Sequence, residues 1–243
     1  MSHLICLSTG LVYKLENDRN KMIEMLKTFE PDGIEINFAQ PDFLFDFKIS
    51  SKNIKYLNSL KFVSIHLPWA GVSYDSNYLT NKIFDKIIAL TKKIKIHNLV
   101  VHPLEIEDFS IFSNLKLPVS IENEDPKWPS FSLPKDFINI FNENRKLHFN
   151  FDFAHAGLVS DKNISDFIKA YRNRIIEIHL SGLSKGNKDH WFLKPHDSAS
   201  NRSLIKKLKL LKNTNIVLEC VARDFEDLKK TNTEIEYIRE LLG

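Results

Sequence analysis

"IIEIHL", residues 175–180, is apolar except at Glu177 and His179. Successive side chains of a β-strand point to opposite faces, so Ile176, Ile178 and Leu180 share one side and the acid and the imidazole share the other. "FVSIHL" (62–67) repeats the pattern, with Val63, Ile65 and Leu67 set against Ser64 and His66. "PVSIEN" (118–123) sets Val119 and Ile121 against Ser120 and Glu122. Five further runs read as strands: "LICLST" (4–9), "GIEINF" (33–38), "NLVVHP" (98–103), "LHFNFDF" (147–153) and "NIVLECV" (215–221). Helical periodicity separates them. In "NYLTNKIFDKIIALTKKIK" (77–95), Leu79, Ile83, Ile87, Leu90 and Ile94 recur every three or four residues on one face. Comparable helical stretches run through 16–29, 51–60, 133–144, 161–171, 198–211 and 224–242. "LEIEDFSIFSNLK" (104–116), after the fourth strand, carries only a short, weak helical pattern, and "AQPDFLFDFKIS" (39–50) reads as an aromatic, acidic loop.

Eight strand-and-helix units with no Gly/Pro-rich linker and no break in composition predict an α/β protein, a single-domain (β/α)8 TIM barrel over residues 1–243. A doubly wound open sheet is the alternative, and it requires about two units to stray from the sheet.

The bulk numbers narrow the function classes. The 243 residues are 43% hydrophobic and 27% charged, ordinary for a globular chain with a core. The 34 basic and 31 acidic residues leave a net charge of +3, spread along the chain, and only seven of the bases are Arg. A polynucleotide-binding footprint does not stand out. Two cysteines, Cys6 and Cys220, without CxxC spacing, read as free thiols in a reducing compartment. With neither a basic leader nor an apolar run long enough to span a bilayer, the expected location is cytoplasmic, with no membrane association.

In a parallel barrel the carboxyl ends of all strands meet at one face, where the reactive groups collect. The third to eighth runs end in His66, His102, Glu122, Asp152, His179 and Glu219. Any one of these alone reads as a satisfied polar residue at a strand end. Six in succession read as a cluster, and buried carboxylates that converge need a counter-charge. A divalent cation supplies it, and mixed imidazole and carboxylate ligands favour Zn²⁺ or Mn²⁺. "FNFDFAHAGL" (149–158) adds His155, three residues after Asp152. One reading makes Asp152 a helix cap and His155 an exposed side chain; the other, preferred, makes Asp152 a ligand with His155 reaching back from the following loop. The long segment "SGLSKGNKDHWFLKPHDS" (181–198) offers Asp189, His190 and His196 and reads as a lid or substrate loop. Glu35 points inward by parity, to hold substrate or a ligand histidine or to make a plain polar contact inside the barrel, and Trp69 forms an apolar wall. The cysteines are expected in the core.

The motifs "SIHLPW", "LVVHP", "SIENED", "FDFAHA", "EIHLSG", "KDHWFL" and "IVLEC", in this order over nearly the whole chain, resemble those of the xylose isomerase-like TIM barrels. That superfamily includes sugar isomerases and epimerases and the endonuclease IV-type abasic-site endonucleases (AP endonuclease family 2). The resemblance implies a central metal site of Glu122, Asp152, His179 and Glu219. It implies a second ion shared by His66 and His102 with Glu122, and a third at His155, Asp189 and His190, so one to three ions in all. The last pair departs from the family spacing, since Asp189 and His190 are adjacent and Lys188 stands where the Asp is expected.

Two reactions remain open. In a metal-dependent isomerase or epimerase of a small sugar or sugar phosphate, Glu122 and Glu219 exchange a substrate proton through an enediolate, as the resemblance to epimerases implies, while Lys185, Lys188 or Lys194 anchors a phosphate. In a multi-zinc phosphodiester hydrolase the partner is abasic DNA. The expectation is the isomerase, acting in carbohydrate metabolism, with a non-catalytic metal-binding barrel as a third possibility.

Overall fold

The computed structural model describes residues 3–184, 188–212 and 214–243, with the side chains of Asn114, Ser184, Lys188 and Asp189 outside that description. Eight parallel strands close on themselves: β1 (Leu4–Ser8), β2 (Gly33–Asn37), β3 (Phe62–His66), β4 (Asn98–Val101), β5 (Val119–Glu122), β6 (His148–Asp152), β7 (Ile175–Leu180) and β10 (Asn215–Leu218). Chain order is kept around the barrel, and β10 pairs with β1 to seal it, with Cys6 opposite Val217. The remaining strands, β8 (Gly182–Ser184) and β9 (Lys188–Trp191), form an antiparallel hairpin in the segment after β7.

Alternation decides what each strand contributes. Val63, Ile65, Ile121, Ile178 and Leu180 are fully buried and join the apolar shell, while Ser64, His66, Ser120, Glu122, Glu177 and His179 are equally buried on the inward side. The barrel interior is therefore polar over much of its height, which burial permits only if those groups are paired. Gly33 opens β2 where a Cβ would stand 2.5 Å from the Phe62 carbonyl oxygen and 2.7 Å from Cys6 Sγ, so no larger residue fits there without moving backbone.

The helices follow the predicted spans with local differences. Helix α1 (Arg19–Lys27) is capped by Asp18, α3 (Ser51–Leu57) by Ser50, α4 (Tyr78–Thr91) by Asn77 and α7 (Asp161–Tyr171) by Ser160. The segment predicted over 133–144 divides into a 3-10 turn (Pro134–Phe137) and α5 (Ile138–Glu143), and 198–211 divides into α8 (Ala199–Lys206) and a 3-10 turn. The stretch 224–242 splits at Lys230 into α9 (Phe225–Lys229) and α10 (Thr231–Leu242). Unit four has only 3-10 turns, Pro103–Glu105 and Phe109–Asn114, in agreement with its weak periodicity. Residues 39–50, expected as loop, contain α2 (Pro41–Asp46), which begins with proline at its first turn. A further short helix, α6 (Phe153–Val159), starts directly at the end of β6. Cys6 and Cys220 are free and buried, and no helix among the described residues is long and apolar enough to cross a membrane.

Candidate metal centre

Asp152 closes β6 and opens α6, and its two carboxylate oxygens have different tasks. Oδ1 accepts from the His155 backbone N–H at 2.6 Å, so Asp152 is the helix cap. Oδ2 is buried with no hydrogen-bond partner among the described residues. Asp152 is thus the helix cap, whereas His155, which that reading leaves exposed, is buried. His155 lies in the first turn of α6 rather than in a loop, and its Nδ1 is held by the Asn123 carbonyl at 2.8 Å. Asn123 also braces Asp152, exchanging hydrogen bonds with its backbone N–H and carbonyl, both at 2.9 Å.

Around Asp152, ligand atoms of Glu122, His179 and Glu219 all lie within 4.8 Å of one another and of Asp152. Each comes from a different strand end, although Glu219 sits one residue beyond β10 and His102 one beyond β4. His179 Nδ1 stands 3.1 Å from Glu122 Oε1 and 3.3 Å from Glu219 Oε2. Glu122 Oε2 faces the other way, with His66 Nε2 at 3.3 Å and His102 Nε2 at 4.0 Å. Neither imidazole is aligned on it as a hydrogen bond, so this oxygen also has no partner among the described residues. Buried carboxylate oxygens without a hydrogen bond are costly, and here two of them, Glu122 Oε2 and Asp152 Oδ2, belong to one cluster.

The histidines are held by their opposite nitrogens. His66 Nδ1 meets the Leu67 carbonyl at 3.0 Å, His102 Nδ1 meets Glu124 Oε1 at 2.9 Å, and His190 Nδ1 meets the Glu219 carbonyl at 3.1 Å. His179 is reversed: its Nε2 meets Glu35 Oε2 at 2.9 Å and its Nδ1 faces the cluster. An acceptor on one ring nitrogen takes the proton there and leaves the other nitrogen's lone pair for a metal. The orphaned oxygens and the oriented imidazoles together fit a divalent cation, which Glu122, Asp152, His179 and Glu219 can hold.

Electrostatics without an ion show the same need for positive charge. Burial disfavours a charged His179, but Glu122, Glu219 and Glu35 outweigh it and raise its pKa well above the usual imidazole range. Burial likewise opposes charge on His66, and the Glu122 carboxylate with the neighbouring acids lifts it to about 9. Against the same burial, His179 brings Glu219 down to about 2 and, with His102, holds Glu122 well below the usual range. Asp152 goes the other way, to about 6, because burial and the charges of Glu122 and Glu219 exceed the pull of His155. Protons on His66 and His179 offset the charge of the carboxylates around them.

The remaining sequence candidates are distributed as follows. Glu35 is fully buried beneath the cluster, on His179. Trp69, 44% exposed, sets its edge against His102 with ring centroids 6.2 Å apart. His190 has a left-handed backbone, φ 60°, and is pinned by Ser181 Oγ on its N–H; its ring is 6.1 Å from that of His155. Lys194 and His196 are exposed on a 3-10 turn, where His196 meets Trp191 edge-on and the Lys194 backbone N–H is taken by Glu234. Lys185 lies outside the described residues, as do the side chains of Lys188 and Asp189. Sequence reasoning missed Glu124, Asn123 and Ser8. Glu124 shares the parity of Glu122 in "SIENED" and was open to the same argument, whereas the roles of Asn123 and Ser8 depend on contacts between neighbouring strands.

The closed barrel of parallel strands is a (β/α)8 fold that the chain shares with solved structures over nearly its whole length. Among solved structures it is similar to a D-tagatose 3-epimerase-like protein (16% identity, 98% of each chain covered, TM-score 0.71) and to L-ribulose 3-epimerase (13%, 99% of this chain and 94% of the other, TM-score 0.72). It is also similar to endonuclease IV from Thermus thermophilus (14%, 98% of each chain, TM-score 0.65). No family model matches the chain, and no curated protein matches it by sequence.

Proposed function

We propose that the protein is a divalent-metal-dependent isomerase or epimerase of a small sugar or sugar phosphate. The observation that carries this reading is the pair Glu122 and Glu219, set against one nitrogen of His179 at 3.1 and 3.3 Å. Glu122, Asp152, His179 and Glu219 would hold Zn²⁺ or Mn²⁺, which when bound supplies a Lewis acid for the substrate carbonyl and hydroxyl. One carboxylate takes the proton from the carbon between those oxygens, and the other returns a proton to the product. The capped, buried Asp152 fixes the floor of the site, and Trp69 and His102 form an apolar and polar wall beside it. Lys194 is the described candidate for a phosphate anchor. Solvent deuterium should enter candidate ketoses with the wild-type protein and not with Glu219→Gln; no incorporation into any ketose by a metal-loaded chain sinks this reading.

A second reading, an endonuclease IV-like phosphodiester hydrolase on abasic DNA, is favoured by Glu122 Oε2, which faces His66 and His102 and offers a place for a second ion. Metal analysis of protein purified without chelator separates the two readings: about one ion for the isomerase, two or three for the hydrolase. Nicking of a duplex carrying a synthetic abasic site, lost in Glu122→Gln, would establish the hydrolase instead.

A further inference from the structure

Below the cluster, the barrel interior holds a second layer of acid that takes no part in the proposed chemistry. Glu35 on β2 and Glu177 on β7 are both fully buried, and ligand atoms of the two and of His179 lie within 4.8 Å of one another. Their hydrogen bonds differ. Glu177 receives Ser64 Oγ at 2.7 Å and Asn98 Nδ2 at 2.6 Å, so its oxygens are committed to side chains of β3 and β4. Glu35 receives Ser8 Oγ at 2.8 Å on Oε1 and presents Oε2 to His179 Nε2 at 2.9 Å. Ser8 and Glu35 are register partners on β1 and β2, so the two strands fix the carboxylate before it meets the imidazole.

We infer that Glu35 is a positioning residue for His179: it holds the proton on Nε2, fixes the ring plane and leaves Nδ1 as the metal-facing nitrogen. A backbone carbonyl or a carboxylate on the opposite nitrogen does the same for His66, His102 and His190, whereas His179 is the one central ligand inverted so that its support comes from inside the barrel. A carboxylate in this place makes the imidazole a better donor to a cation than a neutral acceptor does, and removal of such a partner typically lowers metal affinity about 10- to 100-fold. Glu177 is equally buried and bonds elsewhere, so it separates a specific contact from a general effect of buried acid.

The inference rests on the metal reading of the site, and the test distinguishes the two. Zinc affinity is measured by competition with a chromophoric chelator for the wild type, Glu35→Gln and Glu177→Gln, together with the visible spectrum of each Co²⁺-substituted protein and its far-ultraviolet circular dichroism. Expected is an approximately 10- to 100-fold loss of zinc affinity and an altered Co²⁺ spectrum in Glu35→Gln alone. Glu177→Gln should keep the wild-type spectrum and an affinity within about threefold of the wild type, with circular dichroism unchanged in both. Equal losses in the two variants, or none in Glu35→Gln, would overturn the role of Glu35. A wild-type chain that takes up neither zinc nor cobalt would overturn the metal reading itself.

Discussion

Asp152 joins local structure to chemistry within one side chain. Asn caps helices about as well as Asp, so Asp152→Asn keeps the bond to the His155 N–H and removes the charge. The folded Asp152 titrates at about 6, above its ordinary 3.8, so the native state binds this proton more tightly and the contribution of Asp152 to wild-type stability falls as pH rises between those values. Asp152→Asn lacks that decline: the metal-free variant should match or exceed wild-type stability in urea at pH 7 while retaining little metal. Asp152→Ala should lose the metal and a further 0.5–2 kcal/mol or so of cap energy. His66 gives the opposite sign. Its folded value of about 9 lies above the ordinary 6.5, so its contribution to metal-free stability is full below 6.5 and is lost as pH climbs through 9. A cation at Glu122 Oε2 must displace that proton, so apparent affinity for the second ion should rise with pH up to about 9. Calorimetry in two buffers of unequal ionisation heat should show proton release at pH 7, and equal heats would contradict the assignment.

Helix α10 clamps the segment that carries His190. Glu234, buried on its first turn, accepts the backbone N–H groups of Leu193 and Lys194, and Tyr237, one turn on, donates to Asp197 at 2.6 Å. Arg223 packs 3.4 Å from the Trp191 ring centroid on the other side. Glu234→Ala leaves two backbone donors without their acceptor, at a cost of about 1–3 kcal/mol. Hydrogen exchange over residues 190–197 should accelerate well beyond exchange in β5 and β6, and uniform acceleration would mean that the clamp is not local. On the strand side, Gly33→Ala forces a Cβ against the Phe62 carbonyl and Cys6 Sγ, and should destabilise the barrel by about 1–3 kcal/mol in chemical denaturation.

The closed barrel brings the ends of β3 to β7 and β10, six strands, to one mouth, where several carboxylates are buried close together. An ion that binds only the folded state should therefore raise stability by about 4 kcal/mol at a thousandfold excess over its dissociation constant. Thermal melts with and without chelator should diverge accordingly, and coincident melts would show that no ion is held. Much of this architecture is legible in the order of residues. A period of two in "IIEIHL" and "VSIHL" says which side chains face inward, a period near 3.6 says where α4 and α7 run, and both are local properties of chain geometry. The weak pattern in 104–116 matches 3-10 turns, whereas α2 and α6 were too short to register a period. The spacing of residues along the chain also marked His66, Glu122 and His179 as inward-facing, with Asp152 at the end of its strand. It did not say which oxygen of Asp152 caps a helix and which faces the cluster, nor that Glu35 reaches His179 across 144 positions of sequence. Those outcomes depend on the closure and register of the barrel, which set distances between strands that have no local signature, and so only the tertiary structure decided them.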